Sequence, residues 1–399
     1  MRFLFYSHDG HGLGHTRRNL AVASALAEAA PESSVLIATG VDAVEQLGVP
    51  ANADVLKLPG LRKDGDGNYN ARRLDLSSSE IRRLRCRVLE AAVETFRPSV
   101  MLVDKHPLGI RGELRPALER LAENGGRAVL GLRDVLDEPV IVRREWLRDS
   151  VPEHILRHYD EVLIYGDQRV MDPWSDYGMP ASVRSRTTFC GYVAHSRADA
   201  VPVSAPLRGS DRGRRRPLVL ATAGGGEDGV AVLTAFIEAS EGAPWDGTVV
   251  AGPLSGEATD LRRLATERGV RFRHSVSDLG RRFGEVGALV CLGGYNTLAE
   301  ALREATPTVC VPRTDPRREQ LLRARAFERL GLLRTVEPHG LTPSRLREEV
   351  GAALSTARDS LVERRDRSID IDGAHQAAVR LLELGATDRD ARDTLAAVA

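Results

Sequence analysis

Residues 287–325, GALVCLGGYNTLAEALREATPTVCVPRTDPRREQLLRAR, admit few folds. The apolar run Ala288 to Leu292 has no polar alternation, which suits a strand buried on both faces of a parallel sheet. It stops at Gly293-Gly294, and a helix is expected from Asn296 or Thr297, both strong N-cap types. A helix N-terminus behind a glycine turn offers backbone N–H groups and a positive dipole end to a phosphate. Glu300 falls about one turn into that helix, within reach of the hydroxyls of a ligand seated at the turn. A second strand, Thr308 to Val311, leads into a loop carrying Arg313, Asp315, Arg317, Arg318, Glu319 and Gln320. Polar groups thus gather at the carboxyl ends of adjacent strands, where open α/β sheets bind ligands.

The rest of the chain repeats this alternation in two halves. The first opens with a strand, Phe3 to Tyr6, the loop SHDGHGLGHTRRN and an Ala/Leu-rich helix. It continues through strands at Ser34–Ala38, Val55–Leu58, Val100–Val103, Ala128–Leu132, Glu161–Tyr165 and Thr187–Val193. Helices are expected at Ser78–Phe96, Glu113–Glu123 and Val151–His158, with aperiodic stretches at Pro59–Leu74 and Arg133–Pro139. Residues 195–216 carry no apolar period and are rich in Arg, Pro, Ser and Gly, so they read as a linker. The second half restarts with Leu218–Ala221 and the turn Gly224-Gly225-Gly226. The expected organisation is an α/β chain of two Rossmann-like domains, residues 1–194 and 217–372. Residues 373–399 form terminal helices: an amphipathic segment, Ala374–Leu384, then a final short one.

With 399 residues, 42% hydrophobic, the chain can fill two cores. Lys+Arg and Asp+Glu both number 56, so no global charge points to nucleic acid. Arg-rich runs such as Arg82–Arg87 read as solvated helix faces. Four scattered cysteines without a CxxC pair fit a reduced, cytoplasmic protein. The start, MRFLFYSHDG, runs straight into a strand, so no signal peptide is expected. No apolar run approaches the roughly 18 residues of a spanning helix.

The order GGYNxxxE, then VPR, then Glu319-Gln320 resembles the donor motif of GT-B nucleotide-sugar glycosyltransferases. The resemblance is to the branch containing the N-acetylglucosaminyltransferase that makes lipid II. Gly294, Asn296 and Glu300 also match the HCGWNSTLE core of plant-type enzymes, with Tyr295 in place of Trp. The phosphate-binding His of that motif is Leu292 here. The resemblance implies a GT-B architecture, two domains facing across a cleft, with the terminal helices crossing back to the first. It further implies that Glu300 holds the nucleotide ribose and that Glu319 and Gln320 hold the donor sugar. Diphosphate would then rest on backbone amides at Gly224, Gly225, Gly226, Gly293, Gly294 and Thr297, with Arg313 or Arg317 in support. The nucleotide base would be read near Val276, in the segment His274 to Asp278.

Gly14-His15 matches the Gly-His that such enzymes carry after their first strand, and the resemblance makes His15 the base that deprotonates the acceptor. A histidine suits that task because it titrates near neutrality. Asp104, at the end of the strand Val100–Val103, matches the Asp of a His-Asp dyad, or serves as a strand-end turn former. Metal binding by His8, His11 and His15 is the rival reading of the first loop, and GHGLGH lacks the third glycine of a dinucleotide fingerprint. The function expected is inverting sugar transfer without metal or cofactor, from a nucleotide sugar, UDP-linked by resemblance, to a hydroxyl or amine. Its acceptor is a small or lipid-linked molecule held by the loops 61–70 and 133–138. Membrane contact is peripheral at most, and a homodimer is compatible with the sequence. A nucleotide-sugar 2-epimerase and a non-catalytic nucleotide-sugar binding protein remain open on the same fold.

Overall fold

The computed structural model describes residues 1–8, 14–42, 44–63, 69–194, 207, 216–225, 228–252, 256, 258–277 and 279–398. The chain divides into two compact units. Met1–Asp134, Pro139–Asp199 and Asp372–Ala399 make the first, and Val135–Glu138 with Ala200–Ile371 make the second.

The first unit runs β1 (Arg2–Ser7), α1 (Gly14–Ala29), β2 (Ser34–Thr39), β3 (Ala53–Lys57), β4 (Leu61–Lys63), β5 (Tyr69–Ala71), α2 (Ser78–Phe96) and β6 (Val100–Asp104). It continues with α3 (Arg115–Glu123), β7 (Arg127–Arg133), α4 (Pro139–Arg148), α5 (Val151–His158), β8 (Glu161–Tyr165), α6 (Ala181–Arg184) and β9 (Thr187–Phe189). Seven of these strands form a sheet in the order β3-β2-β1-β6-β7-β8-β9, and every pair in it is parallel. β1 and β6 lie side by side at the centre and are buried along nearly their whole length, which is why both read as continuous apolar runs. The strand order reverses between them, so their carboxyl ends flank the crevice where open α/β sheets take ligands.

The second unit contains β10 (Leu218–Thr222), α7 (Val230–Ser240), β11 (Asp246–Val250), α8 (Ala258–Glu267), β12 (Arg271–Arg273) and β13 (Ala288–Cys291). These are followed by α9 (Tyr295–Arg303), β14 (Thr308–Cys310), α10 (Glu319–Arg329), β15 (Arg334–Thr335), α11 (Pro343–Leu354) and α12 (Arg358–Ser368). Its sheet, β12-β11-β10-β13-β14-β15, is parallel throughout, and the order reverses between β10 and β13. Val219, Phe236, Trp245, Val290, Val309 and Leu346 are among the residues of its core. The last helix, α13 (Gly373–Val398), packs with α1 in the first unit, where Arg380 clasps the buried Glu161 carboxylate at 2.9 and 2.7 Å.

Several elements differ from expectation. α9 starts at Tyr295, with Gly294 as its N-cap and no side-chain cap; Asn296 and Thr297 lie inside its first turn. The tail is one helix rather than two, and β9 ends at Phe189. The aperiodic stretch 59–74 contains the antiparallel pair β4–β5. Helices α4 and α12 add to the expected elements, and each buries little: α4 buries only Val142 and Trp146, and α12 only Leu361. Arg85 is also unlike its neighbours in the Arg82–Arg87 run, since it is fully buried. Its Nε donates to Glu113 Oε2 at 2.6 Å and its Nη2 to Oε1 at 2.7 Å, while the Tyr6 hydroxyl donates to Oε1 of the same carboxylate.

Candidate functional site

In the first unit the site is assembled by the ends of β1 and β6 and the start of α1. Thr16, in the first turn of α1, is bound to the strand ends: its Oγ1 lies 3.2 Å from Ser7 Oγ and 3.0 Å from Thr39 Oγ1. This fixes the helix N-terminus against β1 and β2, and with it His15. The His15 Nδ1 lies 2.9 Å from Asp104 Oδ1. Arg18, one turn further along the same helix face, places Nη2 at 3.0 and 2.8 Å from the two Asp104 oxygens and 2.8 Å from His15 Nδ1. Asp104 and Arg18 are buried, while the His15 side chain keeps 15% exposure. Burial works to raise the Asp104 pKa, but the charges of Arg18 and His15 outweigh it and hold the carboxyl well below the usual range. The ion pair therefore favours the anionic carboxylate.

His15 and Asp104, both singled out from the sequence, are thus brought together, and Gly14 is the first residue of α1. Arg18 was not singled out; its signal was the three-residue spacing from His15 on one helix face. His8 packs its ring against His15 at 4.7 Å between centroids, and against His106 at 4.6 Å. His11, the middle member of the metal alternative, lies outside the described residues.

Burial, together with the positive neighbours His15, His106, Lys105 and Arg85, pushes the His8 pKa well down. An unfolded histidine titrates near about 6.5, so below that pH the unfolded chain takes up a proton that folded His8 refuses. Stability should therefore fall as pH drops below about 6.5, by about 1.4 kcal/mol per pH unit for this one group. His154 and His158, also lowered chiefly by burial, act in the same window, so the informative quantity is a difference. Urea titrations between pH 7.5 and 5.5 should show a shallower loss in His8→Asn than in the unsubstituted protein. Equal slopes would mean that His8 is solvated.

In the second unit the glycine turns come together at the carboxyl ends of β10, β11 and β13. Gly224 has φ +64° and Gly293 has φ +88°, a region that glycine occupies without strain. A Cβ placed on Gly252, just past β11, would lie 2.5 Å from Gly224 O. One on Gly293 would lie 2.7 Å from Cys310 Sγ, and one on Gly224 would lie 3.8 Å from Thr297 Oγ1. The backbone is therefore packed closely around the uncapped start of α9. Gly225 is exposed on this turn, and Gly226 lies outside the described residues.

Glu300 is buried one turn into α9, and a Cβ on Gly280 would fall 1.9 Å from its Oε2, so the carboxylate lies against the backbone at Gly280. Val276 is half-buried a few residues before that point, and Asp278 is outside the described residues. Arg313, Glu319 and Gln320 form one cluster. The Arg313 guanidinium reaches Asp228 at 2.7 Å and Glu319 at 3.3 Å, and its backbone N–H donates to Gln320 Oε1 at 3.1 Å. Arg317 is held elsewhere, by the buried Asp137 at 3.1 Å, whose Oδ1 also accepts from the Arg318 backbone N–H at 2.9 Å. Arg313 is joined to both Glu319 and Gln320.

No protein-family model matches this sequence, and no curated protein does. Solved structures do. The glycosyltransferase of kitacinnamycin is similar over 96% of this chain and 98% of its own, with 19% identity and a TM-score of 0.65. The glycosyltransferase VinC, in complex with dTDP, is similar over 97% and 100%, with 16% identity and a TM-score of 0.63. UDP-glucose: anthocyanidin 3-O-glucosyltransferase, in complex with UDP, matches over 97% and 99%, with 13% identity and a TM-score of 0.64. At these identities the likeness is one of fold, and the chain has the GT-B fold. Among the described residues no helix is long and apolar enough to cross a membrane.

Proposed function

We propose that the chain is a nucleotide-sugar glycosyltransferase. The observation that carries this reading is the convergence, within the second unit, of the Gly224 turn and the Gly293-Gly294 turn at the start of α9, with Glu300 buried one turn inside. Backbone amides at Gly224, Gly225, Gly226, Gly293, Gly294 and Thr297 hold the donor diphosphate, and Arg313 adds positive charge. Glu300 accepts from the ribose, Glu319 and Gln320 from the sugar, and the chain near Val276 meets the base. In the first unit, the acceptor oxygen loses its proton to His15 Nε2 as it bonds to the anomeric carbon. The bond from that carbon to the diphosphate oxygen breaks, and the nucleoside diphosphate leaves with the electron pair. Attack opposite the leaving group inverts the anomeric centre, and the dipoles and cations named here take the place of a metal.

The order of Gly294, Asn296, Glu300, Glu319 and Gln320 supports the lipid-II-forming branch and hence a UDP-sugar. The GT-B neighbours include one solved with dTDP and one with UDP, so both bases belong in the test. In a thermal-shift screen against UDP, dTDP and GDP and their sugars, the matching family at about 100 times its Kd adds about 2.7 kcal/mol, raising the Tm of the second unit by about 5–10 °C. Glu300→Ala should abolish most of that shift. No shift with any nucleotide, from a folded protein, would overturn the reading.

A further inference from the structure

The pair His15–Asp104 is not closed. The His15 Nδ1 meets two partners, Asp104 Oδ1 at 2.9 Å and Arg18 Nη2 at 2.8 Å, and it cannot serve both in the same way. A guanidinium only donates. If Arg18 donates to Nδ1, the ring proton sits on Nε2, and His15 offers the acceptor a donor rather than a lone pair. If Nδ1–H donates to Asp104, the Nε2 lone pair is left as a base.

The surroundings decide between the two. Asp104 is fully buried, and a buried carboxylate needs donors on both oxygens. Arg18 Nη2 lies 3.0 and 2.8 Å from the two oxygens, so one of its N–H groups is shared between them, drawn to an anion that is a stronger acceptor than neutral imidazole. With Nδ1–H pointing to Oδ1, every close contact of the carboxylate is a donor. In the opposite tautomer the Nδ1 lone pair would face an anionic oxygen at 2.9 Å.

Arg18 is itself built in. It is 2% exposed, and its guanidinium carbon lies 5.8 Å from the centre of the Tyr165 ring. Gly131, which pairs in register with Asp104 on the next strand, leaves room for that ring: a Cβ there would lie 2.4 Å from the Tyr165 hydroxyl. The groups around this pair are His8 just past β1, His15 and Arg18 from α1, Asp104 from β6, Lys105 just beyond it, and Tyr165 from β8.

We infer that Arg18 is a positioning residue: by occupying both Asp104 oxygens it keeps the carboxylate charged, directs the His15 Nδ1 proton to Asp104, and so leaves Nε2 as the base. This rests on the proposed glycosyl transfer only for its rate consequence; the tautomer is a property of the protein alone.

The test is NMR of the full chain with ¹⁵N-labelled histidine and ¹³C-carboxyl-labelled aspartate, beside Arg18→Met and Arg18→Lys. Asp104 should stay ionised and His15 should carry its proton on Nδ1 in the unsubstituted protein. In Arg18→Met the Asp104 signal should titrate within the range where the protein is folded, and the His15 proton should no longer be confined to Nδ1. Arg18→Lys keeps a cation and should restore both signatures. Transfer by Arg18→Met should fall by about 10²-fold in kcat, with the KM for the nucleotide sugar unchanged, and Arg18→Lys should recover most of it. A His15 proton on Nε2 in the unsubstituted protein overturns the inference, and this reading stands even if Arg18→Met does not fold. So does an Arg18→Met protein that merely melts earlier with both signatures intact. If the unsubstituted protein shows the expected tautomer yet transfers no sugar, glycosyl transfer fails and the role of Arg18 stands.

Discussion

His15→Ala lowers kcat for sugar transfer by about 10²–10⁴-fold, the range of a lost general base, while the KM for the nucleotide sugar stays where it was. The split follows from the division of labour: His15 belongs to the first unit, and the residues proposed to hold the donor belong to the second. Asp104→Asn should lose rate comparably. Its amide cannot match a carboxylate as acceptor for both Arg18 and His15, and it leaves a buried guanidinium without its counter-charge. Steady-state kinetics with donor and acceptor varied separately would check both variants. A His15→Ala protein that keeps most of its rate would remove His15 from the chemistry and leave the donor site untouched.

The readable parts of this fold were those where one physical demand dominates. β6, β10 and β13 are buried on both faces, so their sequences are apolar without alternation, and the glycines at 224 and 293 follow because the backbone turns there with positive φ. His15 and Asp104 could be singled out separately because one falls where the first loop meets its helix and the other where a strand ends. That they touch depends on the strand order, which sets β6 beside β1 across nearly ninety intervening positions in sequence.

Other features were hidden for equally physical reasons. α4 leaves Val140 and Leu147 exposed, at 68% and 83%, so its apolar residues do not describe a single buried stripe. The β4 and β5 strands are three residues each, too short to display a period. Above all, arginine misleads. Arg17 and Arg18 sit together in the sequence, as do Arg82, Arg83, Arg85 and Arg87, yet Arg18 and Arg85 are buried because each has a carboxylate partner distant in sequence. Composition reports the charge of a side chain; only the fold reports whether it is paired.

The buried pair of Arg85 and Glu113 gives the largest expected effect on stability. Glu113→Ala leaves the Arg85 cation in the interior without its counter-charge, though still bound to the carbonyl of Pro59 at 2.7 Å, and leaves the Tyr6 hydroxyl without the carboxylate it donates to. Breaking one side of a buried ion pair costs about 3–5 kcal/mol, a large share of the stability of a single domain. The pair as a whole is a different matter, because desolvating both ions offsets most of their attraction. Arg85→Met combined with Glu113→Met should therefore recover the greater part of the loss, apart from about 1 kcal/mol for the unpaired Tyr6 hydroxyl. Urea unfolding followed by two probes, so that the two units are not forced into one transition, would place the loss in the first unit. If Glu113→Ala costs under about 1 kcal/mol, as an exposed pair would, water reaches this network. If instead the double variant is no more stable than the single one, the charges hold the chain through coupling that apolar packing cannot replace.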